Sequence, residues 1–245
     1  MDEVGREARG PATAPAAGSD QVILSCAELP TREINGALRA LPDGTSVVIT
    51  EPRGRHNLAV GLTNHLDLTI AGNSGYFTGG LSEGPDITVD GFVGWSVGEN
   101  LMGGTIRVRG SASQSAGSSA HGGLIAIEGG ASLRAGISLK GGTVAIGGDA
   151  GAMCAFMAQA GIILIGGDAG PGLGDSLYEA VIYVGGSLHG LGADAQIEEL
   201  NDDDVLAVKR LVELTGFDHI DPGNVKRVAS ARTLYHFDSA NFAAY

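Results

Sequence analysis

Three stretches decide how this chain is read: Leu124-Ile125-Ala126-Ile127-Glu128-Gly129, Thr143-Val144-Ala145-Ile146-Gly147-Gly148 and Ile162-Ile163-Leu164-Ile165-Gly166-Gly167. Each begins 19 residues after the last. The same hexad extends upstream as Thr105–Gly110, Asp86–Gly91 and Asp67–Gly72, and downstream as Val181–Gly186. Its second position reads Leu68, Ile87, Ile106, Ile125, Val144, Ile163, Ile182, and its fourth Ile70, Val89, Val108, Ile127, Ile146, Ile165, Val184. Its last position is always glycine: Gly72, Gly91, Gly110, Gly129, Gly148, Gly167, Gly186. Within a hexad the aliphatic columns are two residues apart, so they lie on one face of a strand. Their β-branched character suits a pleated surface.

A repeat this short cannot hold a core of its own and must bury its inner face against its neighbours. Nineteen residues is too few for a helical-hairpin repeat, and the apolar spacing is that of strands. The expected fold is therefore an all-β solenoid, a right-handed parallel β-helix of about seven 19-residue coils, in which equivalent residues stack about 4.8 Å apart. The glycine ladder falls just after each strand, where a corner needs either positive φ or close backbone passage. Gly104, Gly123, Gly142 and Gly161 form a further column, as do Gly98, Gly117 and Gly136. Cys154 shares a phase with Ala116, Ala135 and Leu173 and is expected to point inward. Asp90, Arg109 and Glu128 stack on the outer face with alternating sign, as cross-strand pairing on a solvated face selects.

The ends depart from this period. Residues 1–20 are rich in Ala, Pro and Gly and are expected to lack fixed structure. Residues 21–50 read as a strand, Val22–Cys26, and a helix from Arg32 to Leu41. Thr31 is placed to cap that helix, with Ile34, Leu38 and Leu41 on one face. Pro42-Asp43-Gly44 ends it, and Val47–Thr50 begins the stacked region. The solenoid proper is assigned to 51–197. A solenoid must cover its terminal coils; the N-terminal helix is a natural cap at one end, and C-terminal helices are expected to cap the other. From 198 to 245 the pattern turns helical. Asn201 caps a helix opening on Asp202-Asp203-Asp204, with Val205, Val208, Leu211 and Val212 as its apolar stripe and Gly216 as its stop. Asp221-Pro222 is read as a second helix start leading into Val225 and Val228. Of the 12 aromatic residues, Phe217, Tyr235, Phe237, Phe242 and Tyr245 fall in this tail. Tyr235, Phe237, Phe242 and Tyr245 are candidate partner-docking residues, since aromatics are favoured at interfaces.

Composition narrows the function. The 245 residues carry 15 basic and 28 acidic side chains, a net charge of −13, which disfavours nucleic-acid backbones and anionic membranes as partners. The two cysteines, Cys26 and Cys154, cannot build a disulfide framework or a thiolate-held metal centre. The acidic start lacks an apolar signal segment, so a cytoplasmic location is expected. Ala150 to Gly167 contains no charge and approaches the length of a membrane span, but it holds four glycines between Asp149 and Asp168 and fits the coil repeat better.

Catalytic motifs are scarce. No Lys-Ser/Thr follows a glycine-rich loop as a P-loop requires, and Gly170-Pro171-Gly172-Leu173-Gly174 matches a dinucleotide fingerprint only in part. His65, His121 and His189 do not share a phase; His219 and His236 lie in the tail. Asp149 and Asp168 do share a phase and should stack; two carboxylates on adjacent coils can hold a cation or act as an acid/base pair, while aspartates beside glycine more commonly serve turns. The residues give no catalytic, cofactor-binding or metal site.

A seven-fold, 19-residue, glycine-punctuated solenoid resembles the C-terminal GXGXG domain of glutamate synthase large subunits. That domain also occurs as a separate chain, in N-methylglutamate synthase and in formylmethanofuran dehydrogenase. The resemblance spans residues 21–237. The segments Thr31-Arg32-Glu33-Ile34-Asn35-Gly36-Ala37-Leu38 and Lys226-Arg227-Val228-Ala229-Ser230-Ala231-Arg232-Thr233-Leu234-Tyr235-His236-Phe237 resemble the separate-chain, glutamate-synthase-like branch, N-methylglutamate synthase foremost. The formylmethanofuran dehydrogenase branch is the alternative, and a stand-alone β-helix enzyme or structural protein the second. The resemblance implies a non-catalytic scaffold subunit of a hetero-oligomer. One partner would be a class II amidotransferase-like subunit and another a synthase subunit carrying FMN and an iron–sulfur cluster, with neither cofactor in this chain.

Overall fold

The computed structural model describes residues 21–233. Eleven strands form one continuous sheet. They are β1 (Val22–Ser25), β2 (Ser46–Thr50), β3 (Asp67–Ile70), β4 (Asp86–Val89), β5 (Thr105–Val108), β6 (Leu124–Ile127), β7 (Lys140–Ile146), β8 (Ala160–Ile165), β9 (Val181–Val184), β10 (Ala195–Glu198) and β11 (Lys226–Ser230). Strands β1 to β9 follow one another in sequence order, all parallel. From β3 to β9 the paired residues differ by 19, save Lys140 and Ala160 at a register shift at the start of β7: Leu68 sits on Ile87, Ile87 on Ile106, Ile106 on Ile125, and so to Ile182. The fold is an all-β solenoid of about seven turns. A second, sparser set of parallel bridges, from Ser74 through Val93, Ala112, Ala131, Ala150 and Ala169 to Leu188, holds the next side of each coil in the same register.

Both aliphatic columns are buried along their whole length, and Cys154 lies among them, fully buried. Burial pushes its thiol up to about 12, as removal of a thiolate from water requires. The glycine ladder turns out to work by close passage. Among its members only Gly72 has positive φ, at 131°. A Cβ on Gly110 would stand 2.7 Å from the Gly91 carbonyl oxygen, and one on Gly186 2.5 Å from the same atom of Gly167, so the corner has no room for a side chain. Left-handed backbone belongs instead to other columns. Gly79, Gly98, Gly117 and Gly136 have φ between 65° and 70°, and Ala155 (φ 62°) continues that column.

At the N-terminal end, helix α1 (Thr31–Ala40) buries Ile34 and Leu38 in the solenoid core. Its N-cap is Pro30, with no side-chain cap, rather than Thr31; the Thr31 hydroxyl donates to the His56 carbonyl at 3.4 Å instead. The helix seals the first coil through Asn35. Its Nδ2 donates to the Asn57 carbonyl at 2.7 Å, and its Oδ1 accepts from Ala59 N–H at 2.9 Å. One coil further on, Gly79 N–H reaches back to the Leu58 carbonyl. The Asn35 carboxamide thus stands in for the backbone of a coil that is not there.

The C-terminal end differs from expectation in one element. Helix α2 (Asp202–Thr215) forms as read, with Asn201 and Asp204 making a reciprocal capping box and Gly216 in the left-handed region at its end. The second expected helix is instead β11, antiparallel between β9 and β10. Two local causes act. Asp221 Oδ1 accepts from Gly223 N–H and its carbonyl from Asn224 N–H, closing a turn. Val225 and Val228, three apart, share a face in a helix but point to opposite faces in a strand; Val225 enters an outer cluster and Val228 the solenoid core. Strand β11 therefore covers the open edge of the last coil.

Helix α2 is not an end cap. It lies on the outer face of the sheet, where Val208 and Leu211 pack against Leu124, Ala126, Ala145, Leu164 and Tyr183. Its N-terminal turn meets β9 through Asp204 and Tyr183, and its C-terminal carbonyls meet β5 through Arg107. Four coil spacings of about 4.8 Å make about 19 Å, and the 14 residues at 1.5 Å per residue make about 21 Å. The helix is thus as long as the stack of strands it spans. The uncharged stretch Ala150–Gly167 is nearly one whole coil, including all of β8, and no helix among the described residues is long and apolar enough to cross a membrane.

Candidate functional site

Three places in the structure collect chemistry-bearing side chains. The first is the column containing Asp149 and Asp168. Asp149 Oδ1 accepts from the backbone N–H of Asp168 at 2.7 Å, and Asp168 Oδ1 accepts from that of Ser187 at 2.7 Å. Earlier in the column, Asn73 Oδ1 takes the Phe92 N–H and Ser111 Oγ the Gly130 N–H. Asn73, Ser111, Asp149 and Asp168 each place a short side-chain oxygen on the amide of the next coil. The two aspartates stack as their phase requires, and each commits one oxygen to holding coils together. The Ser187 amide holds the Asp168 carboxyl below the usual carboxylate range, helped by His189 at 3.3 Å.

The histidines do not converge. His65 Nδ1 bonds the Gly84 carbonyl at 2.9 Å and His219 Nε2 the Gly147 carbonyl at 2.8 Å. Since a carbonyl only accepts, those ring nitrogens carry the proton. His189 sits by Asp168, and His121 is exposed on a corner elsewhere. No group of three or more His, Cys, Asp or Glu side chains able to hold a metal ion occurs among the described residues. Asp90 and Arg109 make the expected outer-face contact at 3.2 Å. Tyr235, Phe237, Phe242, Tyr245 and His236 lie outside the described residues.

The second place is a polar cleft where β9, β10 and β11 meet, lined by Glu179, Gln196, Glu198, Arg227, Ser230 and Arg232 among others. Its arginines are matched. Arg232 pairs with Glu179 at 2.9 Å, and Arg227 bridges Glu198 and Asp204. Asp204, buried, also accepts from the Tyr183 hydroxyl at 2.6 Å and from Asn201 N–H at 3.0 Å. Burial opposes ionisation of this carboxyl, but the three donors outweigh it and keep it below the ordinary range; burial and the neighbouring carboxylate push the Tyr183 phenol upward. By sequence Asp204 is one of three carboxylates in the first turn of a helix. Its further role had a readable sign, since the outer-face columns change from Asp67, Thr69, Asp86, Thr88 to Leu124, Ala126, Ile162, Leu164, Val181, Tyr183, marking the strands that α2 covers.

The third place was missed. On the side of the coils that follows the glycine corner, the rings of His56, Tyr76 and Trp95 stack at centroid distances of 4.3 and 5.1 Å, with interplanar angles of 25° and 13°. His56 Nδ1 accepts the Tyr76 N–H. Gly75 and Gly94 make room, since a Cβ at Gly94 would stand 2.7 Å from the Tyr76 ring and one at Gly75 would overlap His56. Tyr76 and Trp95 remain 46% and 47% exposed, Phe92 in the same turn 60%, and Leu133, in the Trp95 column two coils on, 39%. The signal in the sequence was the pair Gly75-Tyr76 and Gly94-Trp95 at the 19-residue offset.

The fold and these sites define a parallel β-solenoid with an aromatic outer strip. No family model and no curated protein matches the chain.

Proposed function

We propose that this chain is a non-catalytic scaffold subunit of a glutamate-synthase-like complex, N-methylglutamate synthase being the first candidate. In that reaction methylamine and L-glutamate give N-methyl-L-glutamate and ammonia. The chain would hold an amidotransferase-like subunit against an FMN- and iron–sulfur-bearing synthase subunit, in the cytoplasm. The observation that carries this reading is how the side chains are spent. Asp149 and Asp168 tie coil to coil, the cleft arginines are paired with carboxylates, and Cys154 is sealed in the core, while large apolar side chains stand exposed on a rigid stack. Exposed apolar patches on such a frame mark interaction surfaces.

The test is purification of the tagged chain from its native host, with mass spectrometry and a visible spectrum of the eluate. The expected result is a yellow-brown eluate containing an amidotransferase and a flavin/iron–sulfur protein. A colourless, solitary chain contradicts the proposal. Molybdenum or tungsten with formyl-transfer subunits would move the assignment to the formylmethanofuran dehydrogenase branch.

A further inference from the structure

One inner aliphatic column runs out of the core at its C-terminal end. It passes from Ile163 to Ile182, across to Val228 of β11 and on to Ile197 of β10, and residues directly opposite one another share a face. Ile163, Ile182 and Val228 are fully buried, yet Ile197 is 58% exposed. Ala195, two residues earlier and so on the same face, is only partly buried against the core. Leu191, bridged to the buried Leu173, is 36% exposed. Strand β10 is also the last of the sheet, and no strand lies beyond it among the described residues. At the opposite end α1 covers the core with Ile34 and Leu38. Here α2 does not do so, because it lies on the outer face. A bare strand edge over an open core is what a solenoid has to close.

The chain leaves the described structure at the rim of this opening. Asp194, the residue before β10, holds it there. Its Oδ2 accepts from the Ser230 hydroxyl at 3.2 Å, and its Oδ1 accepts from the Thr233 N–H at 2.6 Å and from the Thr233 hydroxyl. Arg232 is tied to Glu179 at 2.9 Å. Residues 234–245 then carry Leu234, Tyr235, Phe237, Phe242 and Tyr245 against a single acidic side chain, Asp238, and no Lys or Arg. The reach fits. Ile197 lies about 10 Å along a strand from Asp194, and Phe237 lies about 13 Å of extended chain from Thr233. In extended backbone Tyr235 and Phe237 share a face, at the spacing of Ala195 and Ile197. A segment tethered this closely acts at an effective concentration on the order of millimolar, well above that of a free second copy.

We propose that residues 234–245 are the C-terminal cap of the solenoid, seating Tyr235 and Phe237 on Ala195, Ile197 and Leu191 so that the aliphatic column ends inside the molecule. These two aromatics then serve the chain's own core rather than a partner. The cap belongs to the isolated chain and holds whether or not the chain is a complex subunit.

The test is hydroxyl-radical footprinting of the purified full chain, with Ile23, 66% exposed at the other end of the sheet, as the internal reference. Capped, Ile197 should oxidise about fivefold more slowly than Ile23, at a ratio that does not change on dilution. In a Tyr235→Ser, Phe237→Ser chain the two rates should become equal. Amide exchange of β10 should quicken about tenfold in that chain, since an edge strand opens locally when nothing holds it, while β3 to β8 keep their protection. Ile197 oxidising as fast as Ile23 in the intact chain would overturn the proposal, as would protection that survives the double substitution. Protection that fades on dilution would overturn it in favour of a second copy, and protection found only alongside co-purifying subunits in favour of a partner.

Discussion

Replacing Asn35 by alanine should unzip the solenoid from its N-terminal end. Asn35 is nearly buried and makes two bonds to the first coil, to the Asn57 carbonyl and from the Ala59 N–H. Asn57 is exposed and its carbonyl can turn to water, so that bond is worth its net value of about 1 kcal/mol. Ala59 is fully buried, and its orphaned N–H carries the desolvation penalty of about 1–3 kcal/mol. The sum is about 2–4 kcal/mol, or a fall of about 2–4 °C in melting temperature per kcal/mol for a chain of this size. Stability in a solenoid is nearest-neighbour in character, so the loss should also be local. Urea melts would give the magnitude, and hydrogen exchange the place, with amides of residues 51–66 losing protection before those of β7 to β9. Arg39→Ala, which removes only a bond to the Val60 carbonyl at 3.2 Å from an exposed side chain, is the control and should cost under about 0.5 kcal/mol. An Asn35→Ala chain within about 0.5 kcal/mol of the parent, or one that loses protection uniformly, would refute the capping role.

Further outcomes follow from the same structure. Gly117→Ala should cost about 2–4 kcal/mol, about 1 from left-handed backbone at φ 69° and about 1–3 from overpacking, since its Cβ would stand 2.5 Å from Val144; calorimetry reads it. Asp204→Ala removes the acceptor shared by Tyr183, Arg227 and Asn201 and should cost about 3–5 kcal/mol as a broken buried pair, loosening α2 first by hydrogen exchange. On acidification, Asp204 and Asp168 both have folded-state values below their unfolded ones. Their contribution is complete above the unfolded carboxylate value of about 3.9, and is lost as pH falls through the lower folded values. Urea midpoints measured downward from pH 6 should drop steeply below about pH 4, and less so in an Asp168→Asn, Asp204→Asn chain. Cys26 and Cys154 are both buried with thiol values raised by burial, so a thiol reagent at neutral pH should label them only at the rate of unfolding.

Periodicity made most of this fold legible, because a solenoid repeats one local solution and each aliphatic column reports on the same inner face. The cap of α2 was legible for a similar reason: Asn201 with Asp204 three residues on is a local device. What escaped was set by partners distant in sequence. Val225 and Val228 fit a helix until the bare edge of β9 is there to pair with them. Asn35 looks like an ordinary helix residue until Ala59 needs an acceptor. The Asp149–Asp168 pair could be aligned by phase, but only the coil spacing shows each oxygen on the next amide. The aromatic strip was visible as Gly-Tyr and Gly-Trp at the repeat offset, yet its meaning depends on burial, which the sequence does not list.

The most direct test of the scaffold account is a reconstituted methylamine–glutamate assay with three forms of the complex: lacking this chain, containing it, and containing an Asp149→Asn, Asp168→Asn, Cys154→Ala chain. Asparagine at Asn73 already fills the aspartate role in the column, and alanine stands in the Cys154 column at Ala116 and Ala135, so the substituted chain should fold. The account predicts that leaving the chain out abolishes turnover and that the substituted chain restores it in full. A complex that assembles normally with the substituted chain and yet fails to turn over would place catalysis in this chain and contradict the account.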